Sequence, residues 1–358
     1  MTSRSVANQP RYTSLRKMAS CASHSPRPPS RRAAMPSPSQ HAGTIKRVMC
    51  GVGGVRWAFR TAGWQPTRSE WLLATRCIQA EERQRVSEFV FVEDAKAAMA
   101  GRLLLRKAIV EMLGLPWERV RLGRTAQGKP VLLTSDPRPV LDSENVTERG
   151  LDSVGALGFN VSHQGDFTVL AAELGHTIGV DIMKHQLRGR QTTEEFFRLM
   201  SRQFTPLEWR TIRSGGSDWE KLGLFYRHWC LKESYVKGVG VGLGLNLQRV
   251  EFRLGSPRVD VSAVTQDTRL FLDGAEDTGW LFQETMLDES HFVAVAVNQH
   301  STVCQTSKGH RRGDESSCVR PFVALSFQDL MSTAAPLSLE EPEFWENFKA
   351  KNLKTFDT

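Results

Sequence analysis

The chain has no uninterrupted apolar stretch approaching the roughly eighteen residues that a membrane span needs. Its longest runs are short, such as FVAVAV at 292–297, so no membrane partner is expected. Cysteine has no useful pattern either. The six residues (Cys21, Cys50, Cys77, Cys230, Cys304, Cys318) are scattered, with no CxxC pair and no Cys/His ligand spacing. Neither a disulfide framework nor a structural zinc site is suggested, and a reducing, cytoplasmic compartment is expected. Acidic residues are missing altogether from the first fifty positions, which hold nine Lys/Arg. Outside them, 38 basic side chains face 39 acidic ones, so the net charge of +8 shrinks to −1 over the remaining 308 residues. That balance argues against a basic docking surface, and no nucleic-acid partner is expected.

With 358 residues, 40% of them hydrophobic, the chain can build one large domain or two smaller ones with a real core. Residues 1–50, centred on SHSPRPPSRRAAMPSPSQ, are rich in Ser, Pro and Arg. They cannot offset their ordering entropy and are expected to form a disordered basic tail. The same composition resembles a mitochondrial transit peptide, although its prolines interrupt any amphipathic helix and Met35 and Met49 are alternative starts. Order is expected from a strand at 54–59 (GVRWAF), followed by a helix for which Ser69 is the start signal. A long helix over 93–113 should stop at Gly114 and Pro116. Strands are expected at 129–133 and 157–162, separated by a polar loop of over twenty residues. Further strands are expected at 167–174, 176–183, 249–253 and 292–297, with helices at 194–200, 206–213 and 224–237. Helices mixed with strands joined by short turns predict an α+β fold. A polar linker at 301–320 leads to an amphipathic tail, 321–358, expected to dock on the body.

Several residues could carry chemistry. In the strand at 178–183, Ile178, Val180 and Ile182 share one face while Gly179, Asp181 and Met183 share the other. A carboxylate on so apolar a strand is costly unless paired or bound to a cation, yet an Asp at a strand end can equally cap a turn. In YRHWCLKESYVKG, Trp229, Glu233 and Lys237 fall at i, i+4, i+8 on one helix face, which also describes an ordinary Glu-to-Lys pair. Asp181 and Glu233 together would suit magnesium, which takes one or two carboxylates and completes its shell with water and substrate phosphates. RTAQGKP (124–130) sets two cations around a turn with Gly128, where a bare backbone can approach an anion. NVSHQGD (160–166) adds Ser162 and His163 at a strand end, and each of these segments alone reads equally as a plain turn. GVGVGLG (238–244) is no dinucleotide fingerprint, because its glycines follow a helix rather than a strand.

The order of these motifs, RTAQGKP, FNVSHQGD, GVDIMK and FYRHWCLKESYVKGVGVGL, resembles the 4′-phosphopantetheinyl transferases of the larger, surfactin-synthetase-activating type. Their signatures are a GxD strand and, about fifty residues on, a WxxKES/AxxK helix. GVRWAF, EWLLA, FVFVEDAKAAMAGRLLLRK, TRLFLDG and the late DLM…FW tail resemble the animal members in particular. The resemblance implies transfer of the phosphopantetheine arm of coenzyme A to a serine of an apo acyl or peptidyl carrier protein, with magnesium as cofactor. It implies two similar subdomains, 51–172 and 173–300, related by pseudo-twofold symmetry, with the active site in the cleft between them and a monomeric enzyme. Asp181 and Glu233 become the metal ligands and Glu233 also the base toward the serine. Lys237 and His163 would contact phosphates. Arg85, Arg124, Lys129, Asn160 and Ser162 would hold the nucleotide and its 3′-phosphate, with Thr125, Ala126, Gln127, Gly128 and Val161 supplying backbone contacts. Fatty-acid synthase and an aminoadipate reductase are the carrier partners implied.

The chain departs from that pattern in three places. Met183 stands where many bacterial relatives have a second acid, so the metal should have one protein ligand fewer. The loop at 135–156 is longer than in the animal family, and the basic tail has no counterpart there. A magnesium-dependent nucleotide hydrolase or kinase is the competing enzyme reading, but no Walker A or kinase-type catalytic loop is present. Because an acid-free, Pro-rich segment cannot supply a packed surface, deleting residues 1–50 should leave transferase activity intact. Loss of activity in a truncated but folded protein, followed by transfer to a carrier protein, would contradict this.

Overall fold

The computed structural model describes residues 53–133, 157–186, 191–299 and 319–354. The basic tail, the long loop at 135–156 and the linker at 301–318 lie outside the described residues. The observed architecture is mixed: two main sheets, largely antiparallel and each with a long helix against it, plus two smaller antiparallel ones.

In the N-terminal half, β1 (Gly54–Phe59) pairs antiparallel with β5 (Phe167–Leu174), which pairs antiparallel with β4 (Leu157–Gln164). A two-stranded ribbon, β2 (Leu122–Arg124) and β3 (Pro130–Leu132), carries the RTAQGKP turn. Three helices, α1 (Arg68–Arg76), α2 (Ala80–Ser87) and α3 (Val92–Leu113), complete it. The expected start signal at Ser69 is displaced. Thr67 is the cap, accepting from the Glu70 N–H while Glu70 reaches back to the Thr67 N–H, and Ser69 lies inside the first turn. α3 ends where expected, on a left-handed Gly114 (φ 66°). Helix α2 was not expected, since AEERQRVS has almost no apolar stripe.

In the C-terminal half, β6 (Ile178–Lys184) pairs with β11 (His291–Asn298), and β11 with β10 (Trp280–Asp288), all antiparallel. Helices α4 (Thr193–Leu199), α5 (Pro206–Arg213) and α6 (Asp218–Val239) precede a small sheet of β7 (Val250–Arg253), β8 (Arg269–Leu272) and β9 (Ala275–Asp277). α6 starts six residues before the expected 224, with Ser217 as its cap. The tail contributes β12 (Val323–Leu325), α7 (Phe327–Met331) and α8 (Glu343–Lys349). β12 adds in parallel to β1, Phe348 stacks on Trp71 at 3.9 Å, and Phe327 stacks on Trp64 at 5.3 Å. The tail thus joins the N-terminal core rather than its sequence neighbour.

Strand alternation sorts the core. On β5, Leu170 and Ala172 pack toward α3, while Val169 and Ala171 meet Ile178, Val180 and Ile182 of β6 between the two sheets. β4 and β6 are joined by side chains instead of a backbone ladder. Asn160 accepts from the Val180 N–H at 3.0 Å, Gln164 accepts from the Lys184 N–H, and Ser162 donates to Asp181 at 2.9 Å. These three residues alternate onto one face of β4. Two further groups cross between the halves. Arg56 on β1 donates to Gln283 of β10 at 3.1 Å, and the Asp166 N–H donates to Nε2 of the fully buried His291 at 3.1 Å. Among the described residues, no helix is long and apolar enough to cross a membrane.

Three buried histidines set an acid limit on this packing. Burial pushes His185 and His228 down to about 4 and lowers His291 despite its Asp288 partner. The unfolded chain titrates each near 6.5. It therefore binds more protons than the folded chain once the pH drops below that value, and stability falls with falling pH. Melting temperature should decline from about pH 6.5 toward pH 4 as unfolding takes up protons on these histidines. His228→Gln, which cannot titrate, should flatten it; a pH-independent melting temperature over that range would contradict the assignment.

Candidate active site

The geometry of the site begins with two glycines. A Cβ added to Gly179 on β6 would lie 2.0 Å from the Ser234 carbonyl oxygen and 2.4 Å from the Gly238 nitrogen, both on α6. Only a bare backbone permits this approach, since real Cβ contacts never come so near. Gly238 is equally confined, its own Cβ position 2.8 Å from the Trp280 ring. The helix is therefore pressed onto the strand one turn from its end, and Lys237 arrives beside Asp181. Lys237 Nζ donates to Asp181 Oδ1 at 2.5 Å, to Ser162 Oγ at 2.7 Å and to the Val180 carbonyl at 3.2 Å. Cys230 Sγ, about two turns before Lys237, donates to the Asp181 carbonyl at 3.2 Å. Asp181 Oδ2 is buried and accepts no hydrogen bond.

Gly240 (φ 78°) then ends α6 in the left-handed region, and the glycine-rich turn that follows faces the RTAQGKP hairpin. Lys129 Nζ donates to the Lys237 carbonyl at 3.2 Å, and Gln127 Cγ is 3.8 Å from where a Cβ of Gly242 would sit. Burial lowers the Lys129 pKa. The hairpin turn is held by its own backbone, with the Gly128 N–H donating to the Thr125 carbonyl and the Thr125 N–H to the Lys129 carbonyl. Gly128 takes φ 84° there, leaving Ala126, Gln127 and Gly128 exposed.

The structure thus brings Asp181, Lys237, Ser162 and Lys129 together around the end of α6. Glu233 is half-buried on α6, one turn before Lys237. Asn160 is 6% exposed, and its side-chain oxygen is committed to β6. Val161 is half-buried toward α3, where a Cβ on Gly101 would touch it at 3.5 Å. His163 is exposed and alternates away from Ser162. Arg124 and Arg85 meet elsewhere in the N-terminal half, at Glu82. Sequence reasoning missed Glu82 and Arg102, which completes that cluster at 2.6 Å. The available signal was an arginine within the apolar stretch of α3. Met183 is buried, 8% exposed, within the core of the C-terminal half. No group of three or more His, Cys, Asp or Glu side chains suited to a metal occurs among the described residues. The donors that do fit a hard cation are the unpartnered Asp181 oxygen and the Glu233 carboxylate.

Comparison with known proteins places the chain in a family. A family model described as 4′-phosphopantetheinyl transferase, N-terminal, matches residues 62–175, and one for the 4′-phosphopantetheinyl transferase superfamily matches 177–296. The chain is 47% identical over 302 residues to the L-aminoadipate-semialdehyde dehydrogenase-phosphopantetheinyl transferase of Xenopus laevis, covering 84% of this chain and 94% of the relative. It is 48% identical over 300 residues to the protein of that name from Homo sapiens, covering 82% and 91%. A phosphopantetheinyl transferase from Thraustochytrium sp. is 39% identical over 250 residues, covering 68% and 78%.

One residue of the helix motif faces the opposite way. Lys232 is fully buried, with Nζ 2.8 Å from Glu208 and donating to the carbonyls of Leu247 at 2.7 Å and Val250 at 2.5 Å. Glu208 also accepts from the Phe252 N–H at 2.9 Å. The lysine therefore fastens α6 to α5 and β7, away from Asp181. Removing one partner of a buried pair strands the other charge. Lys232→Met should lower stability by about 3–5 kcal/mol in denaturant unfolding, and Lys232→Met with Glu208→Gln should recover much of it. An unchanged midpoint in the single variant would show that the pair holds nothing together.

Proposed function

The chain belongs to the 4′-phosphopantetheinyl transferase superfamily, and on that premise we propose how its residues transfer the phosphopantetheine arm of coenzyme A to a serine of an apo carrier protein. The observation that carries this reading is the meeting of Asp181, Ser162 and Lys237 at the point where the RTAQGKP hairpin docks on α6. The two halves, each an antiparallel sheet with a 22-residue helix (α3 and α6), are read as pseudo-twofold relatives, with coenzyme A lying along their junction.

In the transfer, the serine Oγ forms a bond to the phosphorus that carries the pantetheine. The bond from that phosphorus to the bridging oxygen of the pyrophosphate breaks. The leaving group, adenosine 3′,5′-bisphosphate, departs with the electron pair. Glu233 takes the serine proton, being a carboxylate on the rigid helix beside the site. Lys237 offsets charge that grows on the phosphoryl oxygens, and Lys129 lies close enough to share that work. Ser162 holds Asp181 in place. Magnesium fits the donor set, with Asp181 through its unpartnered Oδ2 and Glu233 as its protein ligands. When bound it supplies Lewis-acid neutralisation of the pyrophosphate. Met183 is no substitute for a third ligand, because a thioether is too soft for this cation. The carriers proposed are those of fatty-acid synthase and of an aminoadipate reductase, the latter in keeping with the relatives' names. The enzyme is proposed to work as a cytoplasmic monomer.

Incubation with coenzyme A, magnesium and an apo carrier protein should add the mass of the arm to the carrier serine. Glu233→Gln should lose activity by on the order of 10²–10⁴-fold at every magnesium concentration, since both a base and a charged ligand disappear. Calorimetric titration should find magnesium bound weakly by the free protein and tightly with coenzyme A present. Met183→Glu should tighten binding to the free protein. Full activity in Glu233→Gln, or tight magnesium binding to the free wild-type chain, would refute the assignment.

A further inference from the structure

Glu82, at the start of α2, is surrounded by three guanidinium groups from three separate elements. Arg124 of β2 grips it with two parallel bonds, Nε to Oε1 at 3.1 Å and Nη2 to Oε2 at 2.9 Å. Arg102 of α3 brings Nε to within 2.6 Å of Oε2, and Arg85, one turn along α2, brings Nη1 to 3.5 Å from Oε1. One acid and three bases leave a net charge of +2 on this cluster. Its members differ in exposure: the side chains of Glu82 and Arg102 are 10% and 14% exposed, Arg124 28% and Arg85 49%. Glu82 and Arg102 are thus the buried members of the cluster, and Arg124 and Arg85 open outward from them.

Three like charges do not gather without a reason to be together, because each repels the others and each loses water on burial. Burial pushes the Glu82 carboxyl up, but the bonds and charges of Arg124, Arg102 and Arg85 outweigh it and hold it below its usual value. Glu82 is therefore a fixed negative hub. The fork geometry matters as well as the charge, since a guanidinium bound through Nε and one Nη has its remaining Nη turned to a defined side. On Arg124 that remaining group, Nη1, donates to the Gly128 carbonyl at 3.1 Å. The hub thereby reaches the RTAQGKP turn, and Arg102 is tied back to its own helix through the Ala98 carbonyl at 2.8 Å.

We propose that Glu82 is a positioning residue that aligns Arg124, Arg85 and Arg102 into one cationic face for the 3′-phosphate of coenzyme A, with Arg102 as a further member of that face. The proposal rests on the transferase reading above. Its action is indirect for Glu82, which touches only the arginines, and sets binding rather than chemistry. A contact to an unreactive phosphate acts alike in ground and transition states, so it should govern KM and leave kcat alone.

The test compares coenzyme A with dephospho-coenzyme A as substrates for an apo carrier protein, in wild type, Arg124→Ala, Glu82→Gln and Arg102→Gln. Glu82→Gln keeps the shape and loses the charge. It should raise KM for coenzyme A about tenfold, the value of a charged hydrogen bond, with kcat within about twofold. KM for dephospho-coenzyme A should not change. Glu82→Asp should recover part of the loss, and Arg102→Lys should not fully replace the fork of arginine. A rise in KM for both substrates alike, a fall in kcat with both, or a lower KM for coenzyme A in Glu82→Gln would overturn the proposal. Should Arg124→Ala lose the preference for coenzyme A while Glu82→Gln keeps it, the phosphate site stands and the role of Glu82 falls. Should wild type transfer from both substrates without preference, the placement of the 3′-phosphate fails while the transferase reading stands; should it transfer from neither, that reading fails.

Discussion

The close approach of β6 and α6 at Gly179 and Gly238 governs the chemistry of this protein. With no side chain at either position, helix backbone and strand backbone touch, and the nearby charged groups of the two elements become neighbours. Asp181 follows Gly179 by two residues and so lies on the same strand face; Lys237 immediately precedes Gly238. An ion pair at 2.5 Å in so crowded a place needs no long flexible reach, and both ends are fixed by backbone packing. The motif glycines are thus as much a part of the site as the charged residues, although they contact no ligand. Cys230 adds a second tie from α6 to the same strand residue.

Attachment of the second half depends on polar side chains doing what a strand would otherwise do. β4 and β6 do not share a ladder, yet β6 N–H groups at Val180 and Lys184 are satisfied by Asn160 and Gln164. Leaving them unpaired at a buried seam would cost free energy comparable to lost hydrogen bonds. Ser162, between them on the same face, bonds Asp181 and Lys237. One edge of the N-terminal sheet therefore both joins the halves and furnishes part of the site. A shift of β4 by one residue would turn this face away and break the seam and the site together. His291 and Arg56 pin the ends of the same junction from either side.

Much of this was legible from spacing. The alternation through 178–183 put Gly179, Asp181 and Met183 on one face, and that is the face turned to α6. The end of α3 at Gly114 and the hairpin turn at Gly128 followed from residues whose local conformation is nearly fixed by their chemistry. Other parts depended on distant partners. α2 has a polar sequence and is held by what its few buried residues, Glu82 and Val86, meet from α3 and β2. Ser69 and Thr67 are both competent caps, and only the Glu70 reciprocal bond decides between them. Lys232 sits within the helix motif next to Glu233, but the helix turns it into the core beside Glu208. That the tail docks was expected, but its docking surface was hidden, because nothing in its own pattern names Trp64 and Trp71 as the residues it covers.

The two oxygens of Asp181 show how the site divides its tasks. Oδ1 receives Ser162 and Lys237, while Oδ2 is buried with no partner. A buried acceptor left open is costly, and such an atom is ordinarily met by an ordered water or an ion. A cation at Oδ2 would not need to displace Lys237, because the lysine is held on the other oxygen and by the Val180 carbonyl. The fixed ammonium and the proposed metal can then act on one pyrophosphate from neighbouring positions rather than compete for one ligand atom. Lys129, bound to the carbonyl of Lys237 itself, extends that line of positive charge toward the hairpin. On the proposed reading the substrate would complete the arrangement, since two carboxylates and water alone would hold magnesium weakly, and the loaded site would form only when there is an arm to transfer.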